Sequence, residues 1–371
     1  MSKNMTDSIE RVIEKVKNAV DDKRIKQKKY TIDGNSTSKQ WLQHLKIEEQ
    51  VRLFPDFYSA WLTYQNNNYL VLVNYKFQTI PHFLQEENLN SGAWTAIIHE
   101  LDIDLKKDTD ISKNLLEELL ESEWEINSRG YKVVNFEKDI NGEINEEING
   151  FTLKYCFPSI SFYKIINKFN QKEELRKITG IALTQSNSYR LLPYTDDVLK
   201  EFKEIFENGN KYIPFDNILA SYVASDFKFA YLDLYRCIER LQPLYYFKNF
   251  YNKLGLSDKS LQDFCHDFYD TTKLEPRPND SLNELLQSID IKKICQYNKN
   301  KGKSFASYLN QLRNQIVHLR PKQINDLVPQ SIPDWNCLML DMLKIVKELY
   351  KTNEQLLTSG SSNQQSTENN D

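Results

Sequence analysis

Three polar residues in the C-terminal half of the chain, Arg313, Asn314 and His318, carry groups that could cleave a phosphodiester bond without a metal ion. An imidazole titrates near neutral pH, so His318 could move protons on and off the 2′-hydroxyl and the leaving 5′-oxygen of RNA. A guanidinium keeps its charge, so Arg313 could stabilise a phosphorane-like transition state. Asn314 could orient either partner. Such a reaction would leave a 2′,3′-cyclic phosphate and a 5′-hydroxyl.

The segment from Ser304 to Arg320 is predicted to be the helix that positions these residues, because its apolar residues recur at helical spacing and Pro321 follows. Asn314 and His318 would share the face opposite the apolar stripe, with Arg313 on the flank. One copy supplies a single histidine, so a homodimer with a two-fold axis would place two His and two Arg around one phosphate. Alternatively, the three are ordinary exposed residues of an amphipathic helix. The stripe comprises Phe305, Tyr308, Leu309, Leu312, Ile316 and Leu319.

The distribution of charge points to a local anion-binding surface. The net charge is −4, yet residues 100–147 hold fifteen acidic and six basic residues, a net of −9. Residues 291–325 hold eight basic residues and no acidic one. This asymmetry predicts contacts to an RNA backbone, although a solvated loop and helix face would look the same. Tyr297 and Tyr308 flank the basic loop and could stack on bases. The candidate RNA-binding residues are Lys299, Lys301, Lys303, Arg320 and Lys322.

The motif Arg313-Asn314-Gln315-Ile316-Val317-His318, followed by a proline, resembles the signature of the HEPN superfamily. Upstream, Tyr235-Arg236-Cys237-Ile238-Glu239 is similar to the early helix that often carries an acidic residue in that superfamily; Glu239 matches it. Local ion pairing with Arg236 and Arg240 would explain Glu239 equally well. The resemblance covers roughly residues 214–350 and leaves 1–210 uncovered.

The resemblance implies an all-helical domain that acts as a metal-independent endoribonuclease, with RNA as substrate and no cofactor. HEPN proteins commonly serve in toxin–antitoxin, abortive-infection and CRISPR-associated systems, so it also implies antiviral defence or a toxin. An antitoxin or a phage-derived trigger would then be a partner. Some members have lost catalysis, and the alternatives are a non-catalytic helical dimerisation module or a nucleic-acid-binding regulator.

The chain is expected to form an α+β N-terminal domain, followed by an all-α HEPN-like bundle. The expected divisions are 1–210 for a regulatory or sensing domain, 214–356 for the bundle and 357–371 for a disordered polar tail. Strands are predicted at Tyr69–Phe77, Tyr131–Phe136, Phe151–Phe157 and Lys177–Thr184. Helices are predicted over residues 1–30, Asn114–Ile126, Asp196–Glu207, Asp216 to Pro243, 258–270, 281–296 and Trp335–Gln355.

Several classes of protein lose support from the sequence. Walker A, GxGxxG, HExxH and GxSxG motifs are absent, which disfavours nucleotide hydrolysis, dinucleotide redox chemistry and common hydrolase mechanisms. The five cysteines have no CxxC pair, so no metal is expected and reduced thiols in the cytoplasm are favoured. No apolar run is long enough for a membrane span, and the charged N-terminus does not resemble a secretory signal.

Overall fold

The chain folds into two compact units, Met1–Leu175 and Arg176–Asp371. No helix in the part of the chain that the structure describes is both long and apolar enough to cross a bilayer. The computed structural model describes residues 5–20, 30–106, 128, 132–135, 153–166, 171–186, 189–256, 259–273, 278–297, 304–318 and 327–358.

The first unit is built on a five-stranded antiparallel sheet in the order β2-β3-β4-β7-β5, and β1 pairs with β6 in parallel. The strands are β1 (Tyr30–Asp33), β2 (Lys46–Phe54), β3 (Phe57–Tyr64), β4 (Asn67–Val73), β5 (Leu84–Glu86), β6 (Lys132–Asn135) and β7 (Ile160–Ile165). The helices are α1 (Met5–Val20), α2 (Ser36–His44) and α3 (Ser91–Glu100), and a short 3-10 turn covers Leu153–Cys156. Gln65 and Asn66 both have positive φ, as a two-residue hairpin turn requires, and they join β3 to β4.

Aromatic rings fill much of the core of the first unit. Trp41 on α2 stacks on Tyr64 of β3, with ring centroids 3.7 Å apart. Tyr69 on β4 stacks on Phe162 of β7 at 4.9 Å. The helices pack closely, because a Cβ on Gly92 of α3 would lie 1.8 Å from the backbone oxygen of Ser38 in α2. A glycine is therefore required where these two helices meet.

The second unit is helical. The helix α4 (Gln171–Thr184) begins before the division at Leu175 and continues into the second unit. The other described helices of this unit are α5 (Asp196–Asn208), α6 (Phe215–Val223), α7 (Phe227–Leu254), α8 (Leu261–Thr272), α9 (Pro278–Leu286), α10 (Ile291–Ile294), α11 (Phe305–Val317), α12 (Ile332–Thr352) and α13 (Glu354–Thr358). The central helix α7 packs against α6, α8, α9, α11 and α12.

Asn336, near the start of α12, ties the two ends of this unit together. Its side-chain oxygen accepts the backbone N–H of Thr195 at 2.8 Å, and its amide nitrogen donates to the carbonyl of Pro193 at 3.1 Å. The helix α5, which Thr195 precedes, packs against α12. Residues 176–210 thus pack with the helical unit, and the chain divides at Leu175 rather than near residue 210, where the sequence pattern changes.

The expectation of one helix from Asp216 to Pro243 was correct at its start but wrong in the middle and at its C-terminal end. Residue 224 interrupts it, because the side chain of Asp226 accepts the N–H of Lys228 and caps a new helix, α7. Pro243 lies inside α7, which continues to Leu254. Proline removes the hydrogen bond to the carbonyl four residues earlier, but the buried residues on both sides of it keep the helix intact.

Two of the predicted strands were also wrong. Phe151–Phe157 contains the 3-10 turn, and Lys177–Thr184 belongs to α4. In α4, Ile178, Ile181 and Ala182 are buried at helical spacing, so burial of that face overrides the β preference of the residues. The α+β character of the first unit is confirmed. The predictions of a strand in Tyr69–Phe77, of one in Tyr131–Phe136 and of a helix at Asp196–Glu207 are confirmed by β4, β6 and α5.

The remaining helix predictions agree with the structure except at their boundaries. The predicted N-terminal helix is α1; the two segments predicted over 258–270 and 281–296 became α8, α9 and α10; and the last predicted helix is divided between α12 and α13. The predicted helix at Asn114–Ile126 and residues 359–371 of the predicted tail lie outside the described residues.

Candidate functional site

The helix α11 is held rigidly against α7. Ser304 caps it, since its side-chain oxygen accepts the N–H of Ser307 at 3.2 Å. Its buried side includes Leu309 and Leu312. The hydroxyl of Tyr231 on α7 donates to the carbonyl of Leu309 at 2.8 Å, and this bond is buried. Any side chain on the other faces of α11 therefore starts from a fixed backbone.

Arg313 of α11 forms an ion pair with Glu239 of α7, with 3.5 Å between Nε and Oε1. The structure thus brings together two residues that lie far apart in the sequence. Both are predicted from the sequence to belong to one site. Both are half-buried, with 33% of the arginine and 38% of the glutamate side chain exposed. Burial raises the pKa of Glu239, while the positive charges of Arg313 and Arg236 act in the opposite direction.

Asn314 contacts the same guanidinium. Nη1 of Arg313 donates to the side-chain oxygen of Asn314 at 3.2 Å. The arginine therefore has a carboxylate from α7 on one side and an amide from its own helix on the other. Two partners restrict its rotamers more than one would, which favours a defined position for its charge.

His318 lies just beyond the end of α11, which stops at Val317 rather than at Arg320 as expected. Its backbone is extended, with φ −108° and ψ 95°, and its N–H donates to the carbonyl of Asn314 at 2.9 Å. The imidazole is exposed. In the part of the chain that the structure describes, the imidazole ring itself makes no hydrogen bond or ion pair with Arg313, Asn314 or Glu239.

A second ion pair extends the site along α7. Asp233 and Arg236 are three residues apart and lie 2.6 Å from each other. Burial raises the pKa of Asp233, and Arg236 opposes that shift. Arg236 also acts on Glu239, so it belongs to the same charge network. From the sequence, Arg236 was considered only as a local partner of Glu239. Asp233, Arg236 and Glu239 follow each other at intervals of three residues on one helix, and this spacing could have indicated that Arg236 joins the site.

Two buried tyrosines lie near enough to Glu239 and Arg313 for the charges of both to act on them. The rings of Tyr231 and Tyr235 are 5.9 Å apart. Burial, helped by the nearby charge of Glu239, raises the pKa of Tyr235 to about 12, while Arg313 opposes that shift. Both phenols are therefore neutral at physiological pH, and their rings give the ion pair an aromatic environment of low polarity.

The proposed RNA-binding cations lie outside the described residues. These are Lys299, Lys301, Lys303, Arg320 and Lys322. The tyrosines that flank the basic loop are both buried, and their rings pack 5.8 Å from each other. Tyr297 and Tyr308 are therefore core residues and not platforms for stacking bases.

The described residues contain no group of three His, Cys, Asp or Glu side chains arranged to hold a metal ion. The cysteines are unpaired, and burial raises the pKa of the Cys237 thiol, which lies on the same helix as Glu239. What the site offers is a fixed guanidinium, a carboxylate of raised pKa, an amide and an accessible imidazole. Neither a protein-family model, nor a curated protein, nor a solved structure matches this chain.

Proposed function

We propose that the chain is a metal-independent endoribonuclease of the HEPN type that works as a homodimer in the cytoplasm. His318 transfers protons, Arg313 binds the scissile phosphate and Asn314 orients the guanidinium. Glu239 positions Arg313 from the neighbouring helix. The observation that supports this most directly is the Glu239–Arg313 pair, which holds a guanidinium on a rigid helix that ends at an exposed histidine.

The proposed reaction uses these groups as follows. One imidazole accepts the proton of the 2′-hydroxyl, the 2′-oxygen attacks phosphorus, and a second, protonated imidazole donates a proton to the 5′-oxygen as its bond to phosphorus breaks. The products are a 2′,3′-cyclic phosphate and a 5′-hydroxyl. Arg313 stabilises the charge on the phosphoryl oxygens.

The proposal uses two copies because one copy of the motif supplies a single histidine, whereas the reaction needs both a base and an acid. Arg313 lies on α11, and His318 has an extended backbone just past the end of this helix. Two copies related by a two-fold axis can place the arginine of one beside the histidine of the other and supply both the base and the acid.

The biological role rests on analogy with the HEPN superfamily. An enzyme that cuts cellular RNA must be held inactive until it is needed. A role in phage defence or as a toxin, controlled by an antitoxin or a phage-derived trigger, fits that requirement. The first unit would then sense the trigger or regulate the second.

The test is RNA cleavage by the purified full-length chain in EDTA. Wild type should cut single-stranded RNA, and His318→Ala should lower the rate by about 10²–10⁴-fold, the usual contribution of acid–base catalysis. Arg313→Ala should lower the rate on the order of 10²–10³-fold, as expected for loss of one donor to the transition state. His266→Ala is the matched control, because His266 is 76% exposed and lies on α8. Equal background in all four proteins would exclude the ribonuclease.

A second candidate is a non-catalytic interaction module. Tyr246, Phe250 and Leu254 recur every four residues on α7 and are 42%, 45% and 48% exposed, which is unusual for large apolar side chains. Retained dimerisation without any cleavage would favour this candidate. For a DNA-binding regulator, binding of DNA and RNA would be compared across a salt titration.

A further inference from the structure

A cavity of about 280 Å³ lies where α9, α10 and the start of α11 meet. Its walls are mostly apolar and come from Leu286, Ile289, Ile291, Phe305 and Ala306. Leu286 and Ala306 are buried, and Phe305 is half-buried. The volume is just below the ~300–1,000 Å³ of pockets for drug-sized ligands, so it suits one small ring system.

The rim of the cavity is polar. Asn283 lies on α9, and Gln287 directly follows the last residue of that helix. Because the two residues are four apart, their side-chain amides lie on the same side of the cavity rim. Both are exposed. Lys292 and Asp290 complete the rim. Asp290 forms an ion pair with Lys293 at 2.8 Å. The charge of Lys292 also acts on Asp290, so the rim and its immediate surroundings carry two cations and one carboxylate.

This combination matches the chemistry of a nucleobase. A base has an apolar face that stacks on an aromatic ring, and Phe305 supplies that ring. Its edges carry donors and acceptors, which the amides of Asn283 and Gln287 can meet in either sense. The phosphate attached to it is an anion, which Lys292 can attract.

The cavity also lies in a favourable position relative to the proposed catalytic arginine. Ala306, Asn310, Arg313 and Val317 follow each other at four, three and four residues, so they share one face of α11. Ala306 lines the cavity at one end of this face. Seven residues of helix span ~10.5 Å, which separates the cavity from Arg313 by a distance that a short stretch of single-stranded RNA can cover.

We propose that this cavity binds one base of single-stranded RNA, next to the phosphate held at Arg313 but not directly at it. The proposal rests on the proposed ribonuclease function and adds a residue set that determines specificity. It implies that the enzyme prefers a particular base a short distance along the strand from the cut, while the two bases directly joined by the broken bond are read less strictly.

The test uses fluorescently labelled 2′-O-methyl hexanucleotides of A, C, G or U, which the proposed reaction cannot cleave because the attacking hydroxyl is blocked. Binding to the full-length chain is measured by anisotropy. Wild type should bind one of the four most tightly. Phe305→Ala should weaken that binding on the order of tenfold, through loss of base–aromatic stacking. Asn283→Ala and Gln287→Ala should each reduce the difference in binding affinity among the four hexanucleotides.

Gln262→Ala, at an exposed amide on α8, is the matched control and should bind like wild type. Asn283 and Gln287 are exposed, so their variants keep the test valid if Phe305→Ala destabilises the unit. Equal affinity in the wild type and all cavity variants overturns the proposal, and so does failure of the wild type to bind any hexanucleotide.

Cleavage mapping separates this proposal from the function on which it rests. If wild type cuts RNA and its position preference is unchanged in Phe305→Ala and Gln287→Ala, the base site is wrong and the ribonuclease stands. If wild type cuts nothing but the cavity variants lose hexanucleotide binding, the base site stands and the ribonuclease is wrong.

Discussion

The two units of the chain differ in the burial of several of their ion pairs and carboxylates. In the first, aromatic and aliphatic side chains form the core, and an ion pair such as Lys15–Asp102 lies at the surface, where 82% of Asp102 is exposed. In the second, carboxylates enter the interior. Asp341 is fully buried, and Asp233 and Glu239 are partly buried.

Asp341 shows how the helical unit tolerates this. Its carboxylate accepts the backbone N–H of Gln296 at 3.0 and 3.1 Å and that of Tyr297 at 2.8 Å. Burial raises the pKa of Asp341, and these hydrogen bonds together with Lys344 oppose the shift. The carboxylate on α12 thus holds the chain just after α10 in place.

The contrast indicates where chemistry is to be sought. A buried or half-buried charge costs free energy that an apolar side chain would not, so its presence calls for a reason. At Asp341 the reason is backbone hydrogen bonding. At Glu239 the ion-pair partner is Arg313 at 3.5 Å, and the charge of Arg236 also acts on this carboxylate. Groups of perturbed pKa that converge in this way favour a functional site.

The largest effect is expected in the first unit. Trp41→Ala removes a ring stacked on Tyr64 and in edge contact with Tyr69, and should lower the free energy of unfolding by about 3–5 kcal/mol, as for other buried aromatic residues. Hydrogen exchange measured by mass spectrometry should show the loss in peptides of the first unit. A loss below about 1 kcal/mol would contradict an aromatic origin of its stability.

In the helical unit the comparable change is Asp341→Ala. It leaves the N–H groups of Gln296 and Tyr297 without their acceptor and should lower the free energy of unfolding by about 2–3 kcal/mol. Asp341→Asn keeps one acceptor oxygen and should lose less. Urea denaturation of the three proteins measures the order, and equal stability of wild type and Asp341→Ala would show that the buried carboxylate is dispensable.

The units should also respond oppositely to acid. The raised pKa values of Asp341, Glu239 and Asp233 mean that the folded helical unit binds protons more tightly than the unfolded chain. Its stability should therefore increase as pH falls from 7 toward those raised values, and Asp341→Asn should flatten that slope.

The hydrogen bond from Lys15 lowers the pKa of Asp102 below its ordinary value of 3.8. The stabilisation from this pair is present above pH 3.8 and is lost as pH falls through the lowered pKa. Hydrogen exchange of peptides from each unit, measured from pH 7 to below pH 3.8, separates the two contributions. The same slope in both units would remove the contrast.

The smallest effect should follow from Lys15→Ala. Lys15 contacts Asp102 and Asp104 at 2.6 and 3.1 Å, but both carboxylates are exposed, so solvent screens the attraction. The free energy of unfolding should change by less than about 1 kcal/mol. A change as large as that for Asp341→Ala would mean that surface charge stabilises the first unit as strongly as a buried carboxylate stabilises the second.

Local pattern predicted those elements whose environment agrees with their residues. The run of β-branched and aromatic residues in β4 was sufficient, because Tyr69–Val73 are all buried in the sheet. The amphipathic spacing in α5 and α11 was sufficient, because each helix buries one face. The predicted strand at Lys177–Thr184 failed because β-branched residues also suit a helix face that becomes buried.

The candidate site was predictable only in part, for the same reason. Arg313, Asn314 and His318 could be found from their spacing on one helix. The pairing of Arg313 with Glu239 depends on how α7 and α11 pack, which no local pattern reveals, and so does the cavity that Phe305 shares with Asn283. The end of α11 before His318 depends on the backbone of a single residue.

The hydrogen bonds that link Asn336 to Thr195 and Pro193 have a consequence for folding during synthesis of the chain. On a ribosome the chain emerges from its N-terminus, so Thr195 and Pro193 appear long before the residue that binds them. Contacts of such high sequence separation form late, and the helical unit cannot close until α12 has been translated. A nascent chain would thus carry Arg313 and His318 before the scaffold around them is complete.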